Sequence, residues 1–515
     1  HREGYFNQSI DAEGIQHEAP ASWDVEKFVE RLDPVICVRI EGRNVLVRAW
    51  RYVMKGIKGA TVPIILLDTD TPENSVEDRT LTDHLYGGDP RYRLCQEAIL
   101  GIGGMRMLRA LGFNALERFH LNEGHAALLT LELLNERLAE RGESAPSLED
   151  VAAIRRQCVF TTHTPVPAGH DRFPIALVDQ VLGRQDLLPS HPSTIHDGHL
   201  NMPYLALNFI RYTNGVAKRH GEVSRRMFPE DAVDQITNGV HAATWTSAAM
   251  AHLFDRYIAH WREENFNLRL ATGIPRNEVW DAHHAAKRTL IDHINATMHA
   301  GMTADAFTIG FARRAATYKR ADLLVSDIQR LKSIAARFGP FQIVYGGKAH
   351  PHDGGGKDII HRVHQHLKEL APEIKAVYLP NYEMHLGAMI TAGVDLWMNT
   401  PQRPLEASGT SGMKAALNGV PSLSILDGWW VEGCIENVTG WAIGHDAPLD
   451  ELVNNNHWET ERAMLYERLE HVILPMFHGN HDQWIDVMRH AIAINGSYFN
   501  TQRMVQEYVV KAYFG

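Results

Sequence analysis

Two hydrophobic patterns alternate along much of the chain, short β-rich runs and longer amphipathic helical segments. Apolar runs of about four to eight residues bounded by turn signals predict strands, whereas a period of about 3.6 residues predicts helices. The runs at 35–50 and 62–70 predict the first strands, and segments 92–111 and 125–141 predict helices. Residues 158–174 predict a strand that ends in a proline-rich loop. This alternation is typical of an α/β protein with parallel sheets.

A second set of strand-like runs follows a long, charged helical stretch at 246–302. With room for helices between them, the runs lie at 305–314, 341–349, 374–382, 394–400 and 421–430. Each run ends in polar or glycine-rich residues, and open α/β sheets bind their ligands at the carboxyl ends of the strands. The last segment, 501–514, has the apolar stripe of a closing helix. We therefore predict two Rossmann-like halves with a cleft between them.

Composition narrows the class of protein and of partner. The chain has 515 residues, of which 44% are hydrophobic, and this length favours two domains over one core. A formal net charge of −11 argues against a nucleic-acid binder. The four cysteines lie far apart without a CxxC pair, which is typical of thiols in a reducing compartment. No apolar run reaches membrane-spanning length, so we expect a cytoplasmic protein without a membrane partner.

The stretch EASGTSGMKAALNGV at 406–420 joins a loop of small residues to a predicted helix. Thr410, Ser411 and Gly412 come just before that helix, where free backbone N–H groups and the helix dipole favour an anion. Small residues also let a ligand approach the backbone closely. Lys414 adds a single amine behind this loop. The alternative is an ordinary capped helix with an exposed lysine, and the stretch alone leaves both interpretations open.

A basic cluster, FARRAATYKR at 311–320, follows the first strand of the second half. Arg313, Arg314, Lys319 and Arg320 stand at a strand end, where their side chains are suited to binding phosphate. The alternative is the solvated basic start of a helix. Two phosphate-binding elements in one domain favour the functional interpretation of both.

Three other motifs look like known sites but fail in a required position. GGKAHPHDGGGK at 346–357 is not a P-loop, because Pro351 stands where the first glycine is required and no Ser/Thr follows Lys357. GIGGMR at 101–106 follows no clear strand, which a dinucleotide motif requires. HLNEGH at 120–125 spaces its histidines five apart, off one helical face, so we predict no metal site there.

Taken together, the motifs resemble the α-glucan phosphorylases, the family of glycogen, starch and maltodextrin phosphorylases. EASGTSGMKAALNG resembles the segment in which that family's lysine forms a Schiff base with pyridoxal 5′-phosphate. Further motifs match in the family's order, namely LNEGHAAL, TTHTPVP, TNGV, GFARRAATYKRADLL, YGGKAHP and LPNYEMHLGAMITAGVDL. THTP and TNGV taken singly predict only a strand-end histidine and a turn, but the combination is highly specific. The absence of long insertions resembles the shorter bacterial and archaeal branch.

The resemblance implies a role for each of several residues. It assigns the cofactor to Lys414, surrounded by Thr410, Ser411, Gly412, Arg313 and Tyr382. It implies that the catalytic residues are Lys319, Arg314 and His163, the first two as ligands of the substrate phosphate. It assigns the glucosyl unit to Glu406, Ser408, Gly409, Asn238 and His163, and the acceptor side of the glucan to Glu123 and His125.

The same resemblance implies an architecture of the GT-B type and a reaction. The first Rossmann-like domain would comprise residues 1–245 together with the C-terminal helix at 495–515, and the cofactor-binding domain residues 246–494. The reaction is a retaining phosphorolysis of α-1,4-glucan ends to glucose 1-phosphate, in which phosphate, assisted by the cofactor's phosphate, protonates the glycosidic oxygen. Two adjacent phosphates repel each other, so such a site needs concentrated cations. A glycosidase pair of carboxylates is not needed.

Two departures from the family pattern bear on activity. Glu383 stands where family members place an arginine near the cofactor phosphate. The chain also opens with HREGYFNQ, just after the position of the family's glycine-rich loop over the phosphates, which implies an N-terminally incomplete first domain and reduced or lost activity. The expected partners are α-1,4-glucan and inorganic phosphate, with a homodimer by analogy. The alternatives are a nucleotide-sugar-dependent glucan synthase, which has no use for Lys414, and a truncated, non-catalytic glucan-binding form.

Overall fold

Two parallel sheets, one in each half of the chain, organise the molecule. The computed structural model describes residues 5–85, 88–166, 169–183, 188–189, 193–454 and 457–515. Each sheet is enclosed by helices and has its own large hydrophobic core. The predicted α/β fold class with parallel sheets is confirmed.

The strands, in chain order, are β1 Asn7–Ile10, β2 Gln16–Ala19, β3 Glu30–Ile40, β4 Arg43–Lys55, β5 Thr61–Asp68, β6 Phe119–Asn122, β7 Cys158–Thr161, β8 Arg172–Pro174, β9 Ile195–His196, β10 His199–Asn201, β11 Tyr212–Gly215, β12 Val233–Gln235, β13 Phe307–Ala312, β14 Phe341–Gly346, β15 Lys375–Leu379, β16 Leu396–Asn399, β17 Ser422–Ile425 and β18 Gly440–Ile443.

The α-helices are α1 Val76–Arg79, α2 Pro90–Ala98, α3 Gly104–Ala110, α4 Leu128–Arg141, α5 Leu148–Arg155, α6 Ile175–Leu182, α7 Met202–Leu207, α8 Lys218–Met227, α9 Ala242–Trp245, α10 Ala248–Tyr257, α11 Arg276–Met298, α12 Ile328–Phe338, α13 Gly354–Glu369, α14 Met384–Gly393, α15 Ser411–Leu417, α16 Trp430–Gly433, α17 Leu449–Asn454, α18 Trp458–Arg468, α19 Leu474–Gly479, α20 His481–His490 and α21 Thr501–Glu507.

The second sheet has the strand order β15-β14-β13-β16-β17-β18, and all neighbouring pairs are parallel. Counted from β13, this is the doubly wound order 3-2-1-4-5-6, whose direction reverses between β13 and β16. The five predicted runs of this half all contain a strand. The sixth strand, β18, was not predicted.

The first sheet has four parallel strands in the order β12-β11-β7-β6. The predicted helix at 125–141 is α4, and its apolar face is buried, with Leu128, Leu131 and Leu134 in the core. The predicted helix at 92–111 runs from α2 through a π-helical turn into α3. GIGGMR therefore lies inside a helix. A Cβ at Gly101 would stand 2.6 Å from the backbone nitrogen of Leu129 in α4. Glycine at this position therefore allows the two helices to pack closely.

The first predicted strands do not join a parallel sheet. Strands β3, β4 and β5, which contain most of the runs at 35–50 and 62–70, form a separate antiparallel sheet. The reason is the turn between β3 and β4, where Glu41 and Gly42 have φ values of 50° and 76°. Such a two-residue turn reverses the chain at once, whereas a parallel pair needs a long crossover.

The two ends of the chain each reach the opposite half. The predicted closing helix at 501–514 is α21 followed by a π-helical segment, and Tyr508 packs there against Val159 and Ile236 of the first half. The β1–β2 hairpin lies on the second half, where the Gln8 side chain donates to the carbonyl of Gly347 at 2.9 Å. The domain boundaries at 245 and 494 stay predictions.

The stretch predicted to be helical between the halves contains α10, a 3₁₀ segment and α11, without a strand. All four cysteines are free thiols. Within the described ranges, no helix is both long enough and apolar enough to cross a membrane.

Candidate functional site

The basic cluster and the small-residue loop meet where the strand order of the second sheet reverses. Arg313 follows β13, a strand whose six residues are all buried. Glu406 lies on the loop after β16, the neighbour of β13 on the other side of the reversal. Ligands of doubly wound sheets bind in the crevice outside the strand ends at this point.

Three buried side chains form an ion cluster in that crevice. The Lys319 ammonium donates to both oxygens of the Glu406 carboxylate, at 2.7 and 2.6 Å, and Arg313 Nη2 donates to Oε2 at 2.7 Å. The Arg313 atoms Nε and Nη1 are buried without a hydrogen-bond partner. A guanidinium with unused buried donors is suited to receive a further anion.

The electrostatics of the cluster leave its carboxylate charged. Burial alone would raise the pKa of Glu406, but Arg313 and Lys319 outweigh burial and hold that pKa below its ordinary value. Burial, with the neighbouring Arg313 charge, lowers the pKa of Lys319 to about 7, although Glu406 opposes the shift. Lys319 thus depends on the Glu406 charge beside it to hold its proton in this buried place.

Asp427 fixes the backbone of the Glu406 loop. Its Oδ2 accepts the backbone N–H of Glu406 at 2.9 Å, and Oδ1 accepts that of Gly428 at 2.9 Å. Burial raises the pKa of Asp427 to about 7, since it is removed from water close to the Glu406 charge. The next residue, Trp429, donates its backbone N–H to the carbonyl of Ser408 at 2.8 Å.

Lys414 lies in the middle of α15 rather than at its start. The helix begins at Ser411, and its seven residues give a weaker dipole for an anion site than a helix of ordinary length would. Lys414 Nζ lies 3.5 Å from the centroid of the Trp245 ring, and burial lowers the pKa of the amine to about 8. No carboxylate in the described part of the chain pairs with this amine. Lys414 is therefore half-buried and loses its proton more easily than an ordinary exposed lysine does.

Arg314 faces a different environment from Arg313. It is exposed and lines a cavity of about 520 Å³ together with Tyr5, Lys348, His350 and Tyr382. Lys348 donates to the carbonyl of Phe6 at 2.7 Å, which ties the start of the described chain to this cavity. The charge of Arg314 still lowers the pKa of Lys319, after the larger effects of burial and of Arg313.

Glu123 and His163 meet at the carboxyl ends of β6 and β7. Glu123, with a φ of 64°, turns its side chain so that Oε2 accepts the backbone N–H of His163 at 2.6 Å and the Thr164 hydroxyl at 3.0 Å. Its Oε1 is buried without a partner. Burial lowers the pKa of His163. One carboxylate oxygen therefore holds the loop, and the other remains available for a ligand.

His125 belongs to a charged cluster behind Glu123. Its Nδ1 lies 2.7 Å from Asp171, which also bonds Arg93 at 2.7 Å. The hydrogen bond to Asp171 raises the pKa of His125 to about 9, and burial raises that of Glu97 to about 8. The ligand atoms of Glu97, His125 and Asp171 lie within 4.8 Å of one another, a spacing compatible with a metal. Arg93 and a protonated His125 already neutralise these acids.

Asn238 lies on the turn that connects the two halves. Its carbonyl accepts a hydrogen bond from Arg503 Nη2 at 3.1 Å, and the preceding Thr237 hydroxyl donates to Glu432 of the second half at 2.8 Å. The C-terminal segment and the second half therefore both hold this turn.

Known phosphorylases share sequence with this chain over its full length. The sequence profile of the carbohydrate phosphorylases matches residues 189–511. A maltodextrin phosphorylase of Thermococcus litoralis is 39% identical over 100% of this chain and 65% of its own length. A glycogen phosphorylase of Mycobacterium tuberculosis is 36% identical with the same coverages, and one of Aquifex aeolicus is 32% identical over 99% of this chain and 79% of its own length.

The chain belongs to the carbohydrate phosphorylase family. The resemblance found in its motifs is thereby confirmed. The chain spans 65% of the length of the Thermococcus and Mycobacterium phosphorylases.

The phosphorylase motifs converge in part. Three residues expected to bind sugar or phosphate, Glu406, Lys319 and Arg313, are in direct contact, and Ser408 lies on the same loop with its hydroxyl buried and without a partner. Gly409 has a φ of 84°, and a Cβ there would lie 3.3 Å from the Glu406 side chain. The residues expected on the acceptor side gather separately, on the first half.

Two residues that contact the candidate site were not predicted. Trp245 under Lys414 and Asp427 under Glu406 are the two with direct contacts. Asp427 had a usable signal, because it follows β17 at a carboxyl strand end, where ligand sites form. Trp245 ends the short helix α9 and carries no comparable signal.

Proposed function

We propose that this chain carries the active site of a retaining α-1,4-glucan phosphorylase, which transfers a terminal glucosyl unit to inorganic phosphate and releases glucose 1-phosphate. The observation that carries this proposal is the buried cluster of Arg313, Lys319 and Glu406 on the loop that leads to Lys414. The cluster places two cations, which can bind phosphate, beside a carboxylate that can accept hydrogen bonds from sugar hydroxyls. The names of the relatives, maltodextrin and glycogen phosphorylase, support the same substrates.

The cofactor we propose is pyridoxal 5′-phosphate on Lys414, and the residues present fit it. A carbonyl group needs a neutral amine, and burial lowers the pKa of the Lys414 amine to about 8. The cofactor's phosphate needs buried donors, and Arg313 Nε and Nη1 are free of partners. Thr410, Ser411 and Gly412 are small residues on the loop that leads to Lys414. Tyr382 lies near Arg313: burial raises the pKa of the Tyr382 hydroxyl, and the Arg313 charge opposes this rise. When bound, the cofactor supplies a phosphate that exchanges protons with the substrate phosphate.

The protein's own residues bind and orient the other reactants. Lys319 and Arg314 would hold the substrate phosphate and favour its anionic form beside the sugar, since cations placed in advance act strongly in a buried site. Glu406, Ser408 and Gly409 would contact the glucosyl hydroxyls, with His163 and Asn238 completing that pocket. On the acceptor side, the free oxygen of Glu123 and the His125 ring would contact the glucan.

The setting of the proposed enzyme follows the same analogy. The free thiols are those of a reducing compartment, which supports a cytoplasmic location. A homodimer is proposed from the family alone.

Absorbance of the purified chain before and after borohydride reduction tests the cofactor. We expect a visible absorbance band, and reduction should fix the cofactor covalently on Lys414. Lys414→Ala should lose the band, whereas Lys357→Ala, which changes a lysine paired with Glu18 elsewhere on the second half, should keep it. A colourless chain without a reducible adduct would contradict the proposal and favour a nucleotide-sugar-dependent synthase, which needs no such lysine.

A further inference from the structure

The hydrogen bonds of Glu406 conflict with its proposed contact to sugar. An ionised carboxylate has about four acceptor positions. Lys319 and Arg313 use three of them, one on Oε1 and two on Oε2. A sugar that donates two hydroxyl hydrogens to Glu406 must therefore displace at least one of the cations.

The contact with Glu406 also opposes the binding of phosphate to the two cations. Lys319 and Arg313 are buried, and both already contact an anion. A phosphate that binds them in the free chain has to approach the Glu406 carboxylate, and two anions at short range in a poorly solvated site repel strongly. Arg313 nevertheless keeps Nε and Nη1 unpartnered, which marks room for an anion beside Glu406.

We propose that Glu406 is a built-in competitor of the substrate phosphate: in the free chain its carboxylate occupies Arg313 and Lys319, and the sugar that takes Glu406 releases at least one of them, Lys319 being the one that would hold the substrate phosphate. This inference rests on the proposed function, since it treats Glu406 as a sugar ligand and phosphate as the incoming anion. It makes the two substrates bind with positive coupling, because each relieves the contact that opposes the other.

A permanent structural ion cluster would behave differently. Removing its carboxylate would leave two buried cations unpaired and destabilise the fold without creating a useful anion site. In the competitor role, the same change frees two cations that a mobile anion can neutralise. Phosphate affinity in the absence of sugar therefore separates the two roles.

The test is calorimetric titration of inorganic phosphate into the chain, without glucan, for the wild type and for Glu406→Gln. We expect Glu406→Gln to bind phosphate about tenfold more tightly or better, because one opposing charge is gone from the contact. Glu369→Gln is the matched control: it removes the same charge from an exposed residue at the end of α13 that pairs with neither cation, and should change the affinity by less than about twofold. Glu406→Gln binding phosphate no more tightly than the wild type would overturn the inference.

A second measurement covers the case in which Glu406→Gln does not fold, as judged by circular dichroism. Phosphate is titrated into the wild type with and without saturating glucose, and we expect glucose to tighten phosphate binding several-fold. An affinity that glucose leaves unchanged overturns the inference. These titrations need no turnover, so a chain that lacks pyridoxal and forms no glucose 1-phosphate fails the proposed function while the Glu406→Gln result still decides the competitor role.

Discussion

At the scale of single residues, burial decides the chemistry of Lys414 more than its position in a helix does. The amine has no carboxylate partner in the described part of the chain, and its half-buried setting lowers its pKa to about 8. The Trp245 ring opposes this shift, because its π face attracts a cation, but the direction of the shift indicates that burial is the larger effect. The result is an amine ready to react near neutral pH.

This shift predicts the pH dependence of cofactor uptake. With a pKa of about 8, the neutral fraction of the Lys414 amine rises from about a tenth at pH 7 to about nine tenths at pH 9. We therefore expect the rate at which the cofactor-free chain takes up pyridoxal phosphate to rise roughly tenfold over that interval and then level off. The measurement is stopped-flow absorbance. A rate that keeps rising through pH 10 would indicate an ordinary solvated lysine instead.

At the scale of elements, the site depends on a close contact between two loops. The loop after β17 passes the loop after β16 so closely that a Cβ at Gly428 would stand 2.4 Å from the Ser408 carbonyl oxygen. Gly428 also has a φ of 54°, in the left-handed region. Asp427 beside it holds the backbone of Glu406. The position of the Glu406 loop is thus set by the packing of backbone against backbone.

Gly428→Ala should therefore damage both stability and activity. The left-handed backbone alone costs an alanine about 1–2 kcal/mol, and the overlap with Ser408 should add roughly 1–3 kcal/mol because a backbone carbonyl cannot rotate away. Gly142→Ala is the matched control, since Gly142 has a φ of 68° and open space around it. We expect thermal unfolding to report a clearly larger loss for Gly428→Ala, together with weaker glucan use. Equal losses in the two variants would show that the loop contact does not matter.

At the scale of the whole molecule, the proposed site needs both halves and both ends of the chain. The C-terminal segment returns to the first half, where Arg503 bonds the carbonyls of Thr237 and Asn238. Glu432 of the second half accepts from Thr237 at the same turn. The Thr237–Asn238 turn is therefore fixed from two directions, which couples the position of one half to that of the other.

The sequence predicted the individual strands and helices better than it predicted the contacts between them. Strands of the second half were predictable because each is a short buried run. Arg313 and Lys319 were predictable as basic groups that follow a strand, whereas Glu406 was assigned through the family resemblance. The bond between Lys319 and Glu406 was not predictable from the pattern, because 87 positions separate the two residues. The same holds for Trp245 against Lys414, a contact that only the packing of α9 on α15 creates.

The pairing of the strands in the antiparallel sheet of the first half was also not predicted from the sequence pattern. Its strands had the right composition, but their pairing was decided by the Glu41–Gly42 turn, whose local geometry outweighs the overall α/β pattern.

The most direct test of the central claim is the release of glucose 1-phosphate by this chain. The purified chain, loaded with pyridoxal phosphate, is incubated with maltodextrin in the presence and absence of inorganic phosphate, and the product is measured enzymatically. We predict glucose 1-phosphate that depends on phosphate and disappears in Lys414→Ala. A folded chain that binds both the cofactor and maltodextrin but forms no glucose 1-phosphate would contradict the account and indicate a non-catalytic glucan-binding protein.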